Sequence, residues 1–561
     1  MICLRSFGWL TRMGVALAML NVVPEEKVLP TVKQQVFILY VLMILVVGLR
    51  AWQITHTEVA ARDSIGFIRY AWLLENSSDW KSVIKDAQQH PGFPLAIHLV
   101  SKPVRYFLAT DLPFAYQLSS QLVSSFFSVL LVLPLFYLAL EVFNTKVAVW
   151  SVLLFEFLPA ISKVLGDGLS EGMFLFFAAS ALACVLNAFK SSRLATWFFA
   201  GLFSACAYLV RPEGMIIVFA CFVVLLGNIV LGKFNDSKSK MKMVAGLAGV
   251  MLGFLILALP FMLTIGKLTT KPTGQKILEK IAVLQVETDS RLALLNGPEL
   301  VMGVFDQAPL FGSWWEGEDK GPAARFVWSF MVLGDSYLKG LNYLGCAFAL
   351  VGLLMMPKAS WSKPSILVLV LSFAILNVAF YRVALVMGYL SERHAMLALM
   401  IVVVWSAYGG VILGDVVLMF FKDSWARVVL GRLNQVSLLL LLLLVPSVYK
   451  SMETLHYNRE GFRQVGKWLA SHCKEGDSVE DAFCWSHFYA GKVFLEGKPG
   501  LVVSDPRVKY VIVERSGNPH LRLQTQDEES LKAQKGRVVY DWPCRRKGVN
   551  STVLVYEVPV Q

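Results

Sequence analysis

Hydrophobic positions along this chain gather into about eleven runs, most of them close to the roughly 20 residues that cross the hydrocarbon core of a bilayer. They centre on Val36–Trp52, Phe114–Leu140, Val147–Ser162, Leu169–Phe189, Leu194–Leu209, Met215–Leu231, Met243–Ile265, Leu338–Met356, Ser365–Leu385, Ala395–Leu413 and Val436–Tyr449. Backbone groups in lipid must bond one another within a segment, so the runs predict helices. The polar spacing between them is lopsided. On one side the connections are short, and on the other three are long: residues 53–112, residues 266–337 and everything after Lys450. Loops of that length usually carry function or are disordered.

The first long loop holds Trp72, Trp80, Phe93, Tyr106 and several prolines. That composition predicts short helices at the membrane surface, where aromatic rings are favoured. The second contains Phe-Gly-Ser-Trp-Trp-Glu from Phe311 to Glu316, suited to stacking on a sugar or to interfacial anchoring. In the third, Phe462, Val465, Trp468 and Leu469 recur at helical spacing within Arg459–Ala470. Alternating β-branched residues predict strands at Lys509–Val513, Arg537–Tyr540 and Thr552–Val558. The expected fold is an all-α polytopic membrane protein of about eleven transmembrane helices with a small outer α/β C-terminal domain. Its parts would be a cytoplasmic tail (1–35), a transmembrane unit (36–449) and an extracytoplasmic domain (450–561). No internal repeat is visible.

Composition agrees, since 56% of residues are hydrophobic and the mean hydropathy is +0.58, too apolar for a soluble chain of 561 residues. The formal charge of +12 raises the question of nucleic acid, and its distribution answers it. If the first run crosses outward, the inside loops carry Lys146, Lys190, Arg193, Lys233, Lys238, Lys240, Lys242, Lys358, Lys363, Lys422, Arg427 and Arg432. The short outside turns hold only Lys163, Arg211, Arg382 and Arg393. This is the positive-inside pattern, so the basic excess addresses topology and anionic membrane lipid, with no nucleic-acid partner expected. The stretch Phe7–Leu20, broken by Arg12, reads as an uncleaved interfacial or tail segment, with a signal-peptide core as the alternative. Of eight cysteines, Cys473, Cys484 and Cys544 fall in the outer region, where one disulfide could form; no spacing suggests a metal site.

Candidate chemistry collects at the outer ends of the runs. Asp63 follows the first run and would share a helix face with Phe67 and Tyr70; its alternative is a solvated loop aspartate. Asp167 and Glu171 sit four apart in Gly-Asp-Gly-Leu-Ser-Glu, where two carboxylates on one turn repel unless a cation, a proton or a substrate hydroxyl lies between them. A cap and turn is the competing reading. Arg211-Pro-Glu-Gly and Ser391-Glu-Arg393-His394 put arginines on the same membrane face, suited to phosphate through paired donors or simply snorkelling beside Glu213 or Glu392. His90-Pro-Gly-Phe-Pro holds a histidine in a stiff loop. Glu156 falls inside the third run and is expected to reach up to the outer interface. Transfer from a lipid phosphate needs such a set: a carboxylate to take the acceptor proton and cations to neutralise the departing phosphate.

In order along the chain, Asp63 with Tyr70, His90-Pro-Gly-Phe-Pro, Pro159 leading into Gly-Asp-Gly-Leu-Ser-Glu, Leu209-Val-Arg-Pro-Glu-Gly and Ser391-Glu-Arg-His resemble the GT-C superfamily of integral-membrane glycosyltransferases. The branch with bacterial lipid A aminoarabinose transferases and protein O-mannosyltransferases is the one they are similar to. The resemblance covers roughly residues 35–413. It implies a polyprenyl- or dolichyl-phosphate sugar as donor, a lipid, glycan or protein acceptor, and inversion at the anomeric carbon. Asp63 would be the catalytic carboxylate, with Asp167, Glu171 and His90 beside it. Arg393, Arg211, Tyr70 and His394 would bind substrate. A divalent metal, if used, would fall to Asp63 and Asp167. Ser64 stands where many members carry glutamate, and His394 where many carry tyrosine. The site would be extracytoplasmic, in the plasma (inner) membrane of a bacterium or the endoplasmic reticulum of a eukaryote. Competing readings are a secondary transporter, which would favour repeats and mid-membrane charges, and an oligosaccharide ligase or polymerase using the same lipid-phosphate chemistry.

Overall fold

A computed structural model describes residues 31–108, 111–231, 237–271, 321–387, 390–420, 438–474, 476–495, 508–516, 528–543 and 551–559. The Phe7–Leu20 stretch, the Phe311–Glu316 cluster, Cys544 and residues 272–320 of the second long loop lie outside them. The helices of the first half are α1 (Val32–Thr55), α2 (Arg62–Asn76), α3 (Trp80–Asp86), α4 (Gly92–Phe107), α5 (Leu112–Val142), α6 (Thr145–Phe157), α7 (Pro159–Gly166), α8 (Glu171–Ser191), α9 (Leu194–Val210), α10 (Met215–Val230) and α11 (Ser237–Ile265). The second half continues with α12 (Gly321–Gly340), α13 (Leu344–Met355), the single turn α14 (Lys358–Trp361), α15 (Pro364–Met387), α16 (Met396–Phe420) and α17 (Leu438–Ser451).

Seven of these helices are long and apolar enough to span a bilayer, and two bent pairs bring the number to nine. The protein is a multi-pass integral membrane protein. Among the described residues the predicted runs are helical; seven to nine are spans by length and composition, and α9 and α17 are shorter apolar helices. The predicted run 338–356 needs correction. Its first residues end α12, which lies mostly in the stretch read as loop, and the chain then turns 100° into α13 through Asn342 and Tyr343, both at positive φ. Asp335, Ser336 and Lys339 diluted the hydropathy there. The first long loop forms α2, α3 and α4, as its composition suggested.

Local chemistry sets the helix ends. Thr31 and Gln34 make a reciprocal capping box on α1, and Asp111 and Asn144 cap α5 and α6. A residue before proline is driven out of the helical region. Leu158 is accordingly extended (φ −66°, ψ 129°), and α7 leaves α6 at 66°. Gly201 on α9 and Gly253 on α11 let the two backbones approach so closely that a Cβ on either would collide with a carbonyl of the other helix.

Glu156 does not reach the interface. Its Oε2 lies 2.5 Å from Arg50 Nη2 and 2.8 Å from Ser128 Oγ, with Arg50 2% and Glu156 0% exposed. Arg50 also donates to Gln53 Oε1 (2.6 Å) and to the Ser162 carbonyl (2.9 Å). A partner within reach makes burial cheaper than snorkelling, because the charge is neutralised where it stands.

After α17 come α18 (Glu460–His472), β1 (Ser478–Glu480), α19 (Trp485–Tyr489), β2 (Val508–Ser516), α20 (Glu528–Ala533), β3 (Arg537–Pro543) and β4 (Ser551–Pro559). The sheet order is β1-β2-β4-β3, with β1 parallel to β2 and the other pairs antiparallel. Phe462, Val465 and Leu469 of α18 are wholly buried. Strand β1, three residues long, is too short to show alternation in sequence. Cys473 carries a free thiol.

Candidate active site

Helix α2 opens on Arg62 and Asp63, whose charge sits in the first turn, where the helix dipole favours an anion. Its inner face, including Phe67 and Tyr70, is buried, with Phe67 edge-on to Phe93 at 5.1 Å. Asp63 stays partly open at 24% exposure. The Tyr70 hydroxyl is sealed in without a hydrogen-bond partner among the described residues.

Arg393 joins the two ends of this site. Its Nη1 donates to Asp63 Oδ2 at 2.6 Å, and its Nε donates to Glu171 Oε1 at 3.0 Å. Glu171, 1% exposed at the start of α8, also accepts Arg211 Nη1 at 2.6 Å. Arg211 in turn holds Glu213 Oε1 at 3.0 Å and lies over the Phe174 ring. The result is an alternating file, Asp63–Arg393–Glu171–Arg211–Glu213, assembled from the ends of helices far apart in sequence. Burial pushes the Arg393 guanidinium down, but Glu171 and Asp63 outweigh it and hold the charge more firmly than in an ordinary arginine. Arg211 is likewise pushed down by burial and raised on balance by Glu213 and Glu171.

Asp167 and Glu171 do not share a ligand between them. Asp167 caps α7, and its Oδ2 lies 2.8 Å from His456 Nε2, at the entrance to the C-terminal domain. Gly168 follows at φ 66° and turns the chain beside Ser120, where a side chain would collide. The repulsion expected at this spacing is relieved by giving each carboxylate its own basic partner.

His90 bonds neither Asp63 nor Glu171. Its Nδ1–H donates to the Tyr208 carbonyl at 2.6 Å, which leaves Nε2 to accept the Thr269 hydroxyl at 3.0 Å. Burial, then the nearby Lys271 and Arg211, lower its pKa to about 4, while the Tyr208 carbonyl and Glu213 oppose the shift. His394 lies 3.0 Å from the Ser391 hydroxyl, and burial with Arg211, Arg393 and Lys271 lowers it to about 3. Both rings are neutral at physiological pH. Lys271 completes the group. Burial and Arg211 bring it down to about 8 against the pull of Glu213 and Glu171.

Lys271, Thr269 and His456 were missed by sequence reasoning. For Lys271 no signal set it apart: it stands six residues beyond the end of α11, in a stretch that also carries Lys267, Lys276 and Lys280. His456 carried none, since its partner is 289 positions away. Among the described residues no group of three or more His, Cys, Asp or Glu side chains could hold a metal ion. Asp63 and Asp167 each face a basic partner of their own, Arg393 and His456.

Residues 108–262 match the model of the family described as dolichyl-phosphate-mannose-protein mannosyltransferase. The fold is similar to that of ArnT from Cupriavidus metallidurans bound to undecaprenyl phosphate, at TM-score 0.53 and 11% identity over 94% of this chain and 98% of that one. It is also similar to AglB, the archaeal oligosaccharyltransferase of Archaeoglobus fulgidus, in complex with an inhibitory peptide and a dolichol-phosphate. There the TM-score is 0.50 and the identity 13%, over 81% of this chain and 63% of that one. This chain thus spans less than two thirds of the length of the oligosaccharyltransferase it matches. No curated protein matches the sequence. These likenesses bear out the GT-C resemblance.

Proposed function

We propose that this GT-C-fold membrane protein transfers a sugar from a polyprenyl- or dolichyl-phosphate donor to a lipid, glycan or protein acceptor at the outer membrane face, with inversion. One observation carries the reading: Arg393 bridges a partly open carboxylate, Asp63, and a sealed one, Glu171. A transferase of this kind needs a base beside a phosphate-binding cation, and here the two are already in contact. Structures of similar fold hold undecaprenyl phosphate and dolichol-phosphate, which supports a lipid phosphate as the donor's carrier.

The chemistry follows from this pairing. The donor phosphate competes with Asp63 for the Arg393 fork, which matches phosphate oxygens through paired donors. Glu171 keeps Arg393 in place during the exchange, and Asp63 is released as a base. Asp63 then takes the acceptor hydroxyl proton while the acceptor oxygen attacks the anomeric carbon opposite the phosphate. The carbon–oxygen bond to phosphate breaks with its electron pair, and Arg393, Arg211 and Lys271 stabilise the charge gathering on the polyprenyl phosphate. His90 supports Thr269 and so the Lys271 strap, His394 closes the arginine side, and Asp167 orients the acceptor; Tyr70, expected to bind substrate, is sealed on the inner face of α2 and backs Asp63 instead. We assign 1–35 to a cytoplasmic tail, 36–449 to the membrane transferase unit and 450–561 to an extracytoplasmic domain.

A transporter fits less well. The Arg50–Glu156 pair is a charge inside the helices that such a protein would use, yet it is sealed from solvent, with the two side chains held by each other and by Ser128, Gln53 and Ser162. The test is a donor screen with purified protein in lipid, undecaprenyl- and dolichyl-phosphate sugars, and extracted acceptors. Transfer that depends on Asp63 is expected; donor turnover unaltered in Asp63→Asn overturns the assignment.

A further inference from the structure

The segment leading to Asp63 has no secondary structure of its own to hold it. Residues 56–61 connect α1 to α2, and Ala61 caps α2 without any side-chain hydrogen bond. Yet Val59, Ala60 and Ala61 are 0%, 2% and 4% exposed, so their backbone groups must find partners inside the protein. The Ala61 carbonyl accepts the Ser64 N–H, and Ala60 finds its partners more than 400 residues downstream. The Trp485 indole Nε1–H donates to the Ala60 carbonyl at 2.8 Å. The Ala60 N–H donates to the Tyr489 hydroxyl at 2.8 Å, and that hydroxyl donates to Gln117 Oε1 of α5 at 2.7 Å. Trp485 and Tyr489, the two ends of the short helix α19, thus grip both polar groups of one peptide residue, three positions before Asp63.

Neighbouring contacts run the same way. The Glu58 N–H donates to the Leu455 carbonyl, Arg463 Nη2 donates to Glu58 Oε2 at 2.8 Å, and Arg62 Nη2 donates to the Ala482 carbonyl at 3.3 Å. Trp485 is itself clamped, stacked on Phe483 and covered by the Arg459 guanidinium at 4.9 Å.

We infer that Trp485 and Tyr489 are positioning residues for Asp63: the C-terminal domain sets the height and direction of the catalytic carboxylate through the Ala60 peptide. This rests on the proposed role of Asp63. Removing the Tyr489 hydroxyl leaves the Ala60 N–H and the Gln117 carbonyl oxygen buried without partners, while the ring still fills its place. The loop then relaxes, and Asp63 shifts relative to Arg393. A misplacement of about an ångström at a reacting group costs roughly a hundredfold in rate.

The experiment uses the full-length protein in lipid nanodiscs. Hydrogen–deuterium exchange is measured on wild type, Tyr489→Phe and Trp485→Phe, and turnover is measured with a panel of undecaprenyl-phosphate sugars. Exchange in the peptide containing Ala60 is expected to rise at least about tenfold in Tyr489→Phe while α18 and β4 keep their protection. The rate constant should fall roughly ten- to a hundredfold with little change in donor KM. Placed on Asp63→Asn, Tyr489→Phe should cost nothing further, because its effect passes through a carboxylate already lost. Unchanged exchange at Ala60, or a full additional loss in the double variant, overturns the inference. If Asp63→Asn itself turns over normally, the functional reading fails, and exchange alone then decides whether the clamp exists. A panel giving no turnover leaves exchange to decide as well.

Discussion

Asp63 and Arg393 make each other's roles testable. Asp63→Asn is nearly isosteric and removes only charge, so turnover should fall about a hundredfold or more, as for loss of a positioned base, with the thermal midpoint little moved. Arg393→Lys keeps one positive charge but cannot reach Asp63 and Glu171 at once. It should lose activity in the rate constant as well as in donor affinity, with Arg393→Ala lower still, whereas a snorkelling arginine would tolerate lysine. Lys271 supplies a pH test. With its pKa near 8, the charge available to phosphate disappears as pH rises, so kcat/KM should drop through about pH 8 and Lys271→Arg should flatten that limb. Stability should move oppositely. The folded state lowers this pKa from 10.5, so the unfolded chain binds more protons between the two values, and the Lys271 contribution to stability grows as pH rises across that window. The residue types of the site were readable in sequence because charges at helix ends stand out against apolar runs. Their pairings were not: nothing local says that Arg393 would choose Asp63 and Glu171 over the adjacent Glu392, a choice made by how α2, α8 and α16 converge.

Among the elements, the bent pair α6–α7 is one of two places where the membrane part departs from a simple bundle among the described residues, and the Arg50–Glu156 pair lies against that bend. Glu156→Ala leaves Arg50 buried without its counter-ion and should destabilise the protein by about 3–5 kcal/mol, read by unfolding in mixed micelles. Replacing both, as Arg50→Met with Glu156→Leu, should recover most of that loss, since two apolar side chains have no charge to desolvate. A double variant as unstable as Glu156→Ala would show instead that the hydrogen bonds to Ser128, Gln53 and Ser162 carry the bend. The bend itself falls at Pro159, inside the run Val147–Ser162 that was read as one span, and arises because proline acts on its immediate neighbour. The partner of Glu156 was not legible, because it lies 106 positions earlier in a run that reads as uniformly apolar. The three longer strands were found by alternation within a residue or a few of their ends, while β1 depends on a parallel neighbour, Lys509–Val511, that no local pattern announces.

For the molecule as a whole, the loop charges are the ground on which we propose cytoplasmic lysines and an outer site. Maleimide added to intact cells should label Ser78→Cys in the first long loop and spare Lys190→Cys; the reverse pattern would invert the topology and move the site to the cytoplasmic side. That asymmetry was visible from sequence because it is a property of counts, whereas the file of ion pairs emerges only once the chain is folded. The file has a further consequence. Asp63, Glu171 and Glu213 stand against Arg211, Arg393 and Lys271, with His90 and His394 uncharged, so these eight side chains sum to zero, beside the separate Asp167–His456 pair. A neutral centre casts no long-range field and cannot draw anions out of bulk water. We therefore expect the proposed donor to arrive by diffusion within the bilayer, with a rate of capture that stays level between about 0.01 and 1 M salt, where a steered encounter would slow steeply.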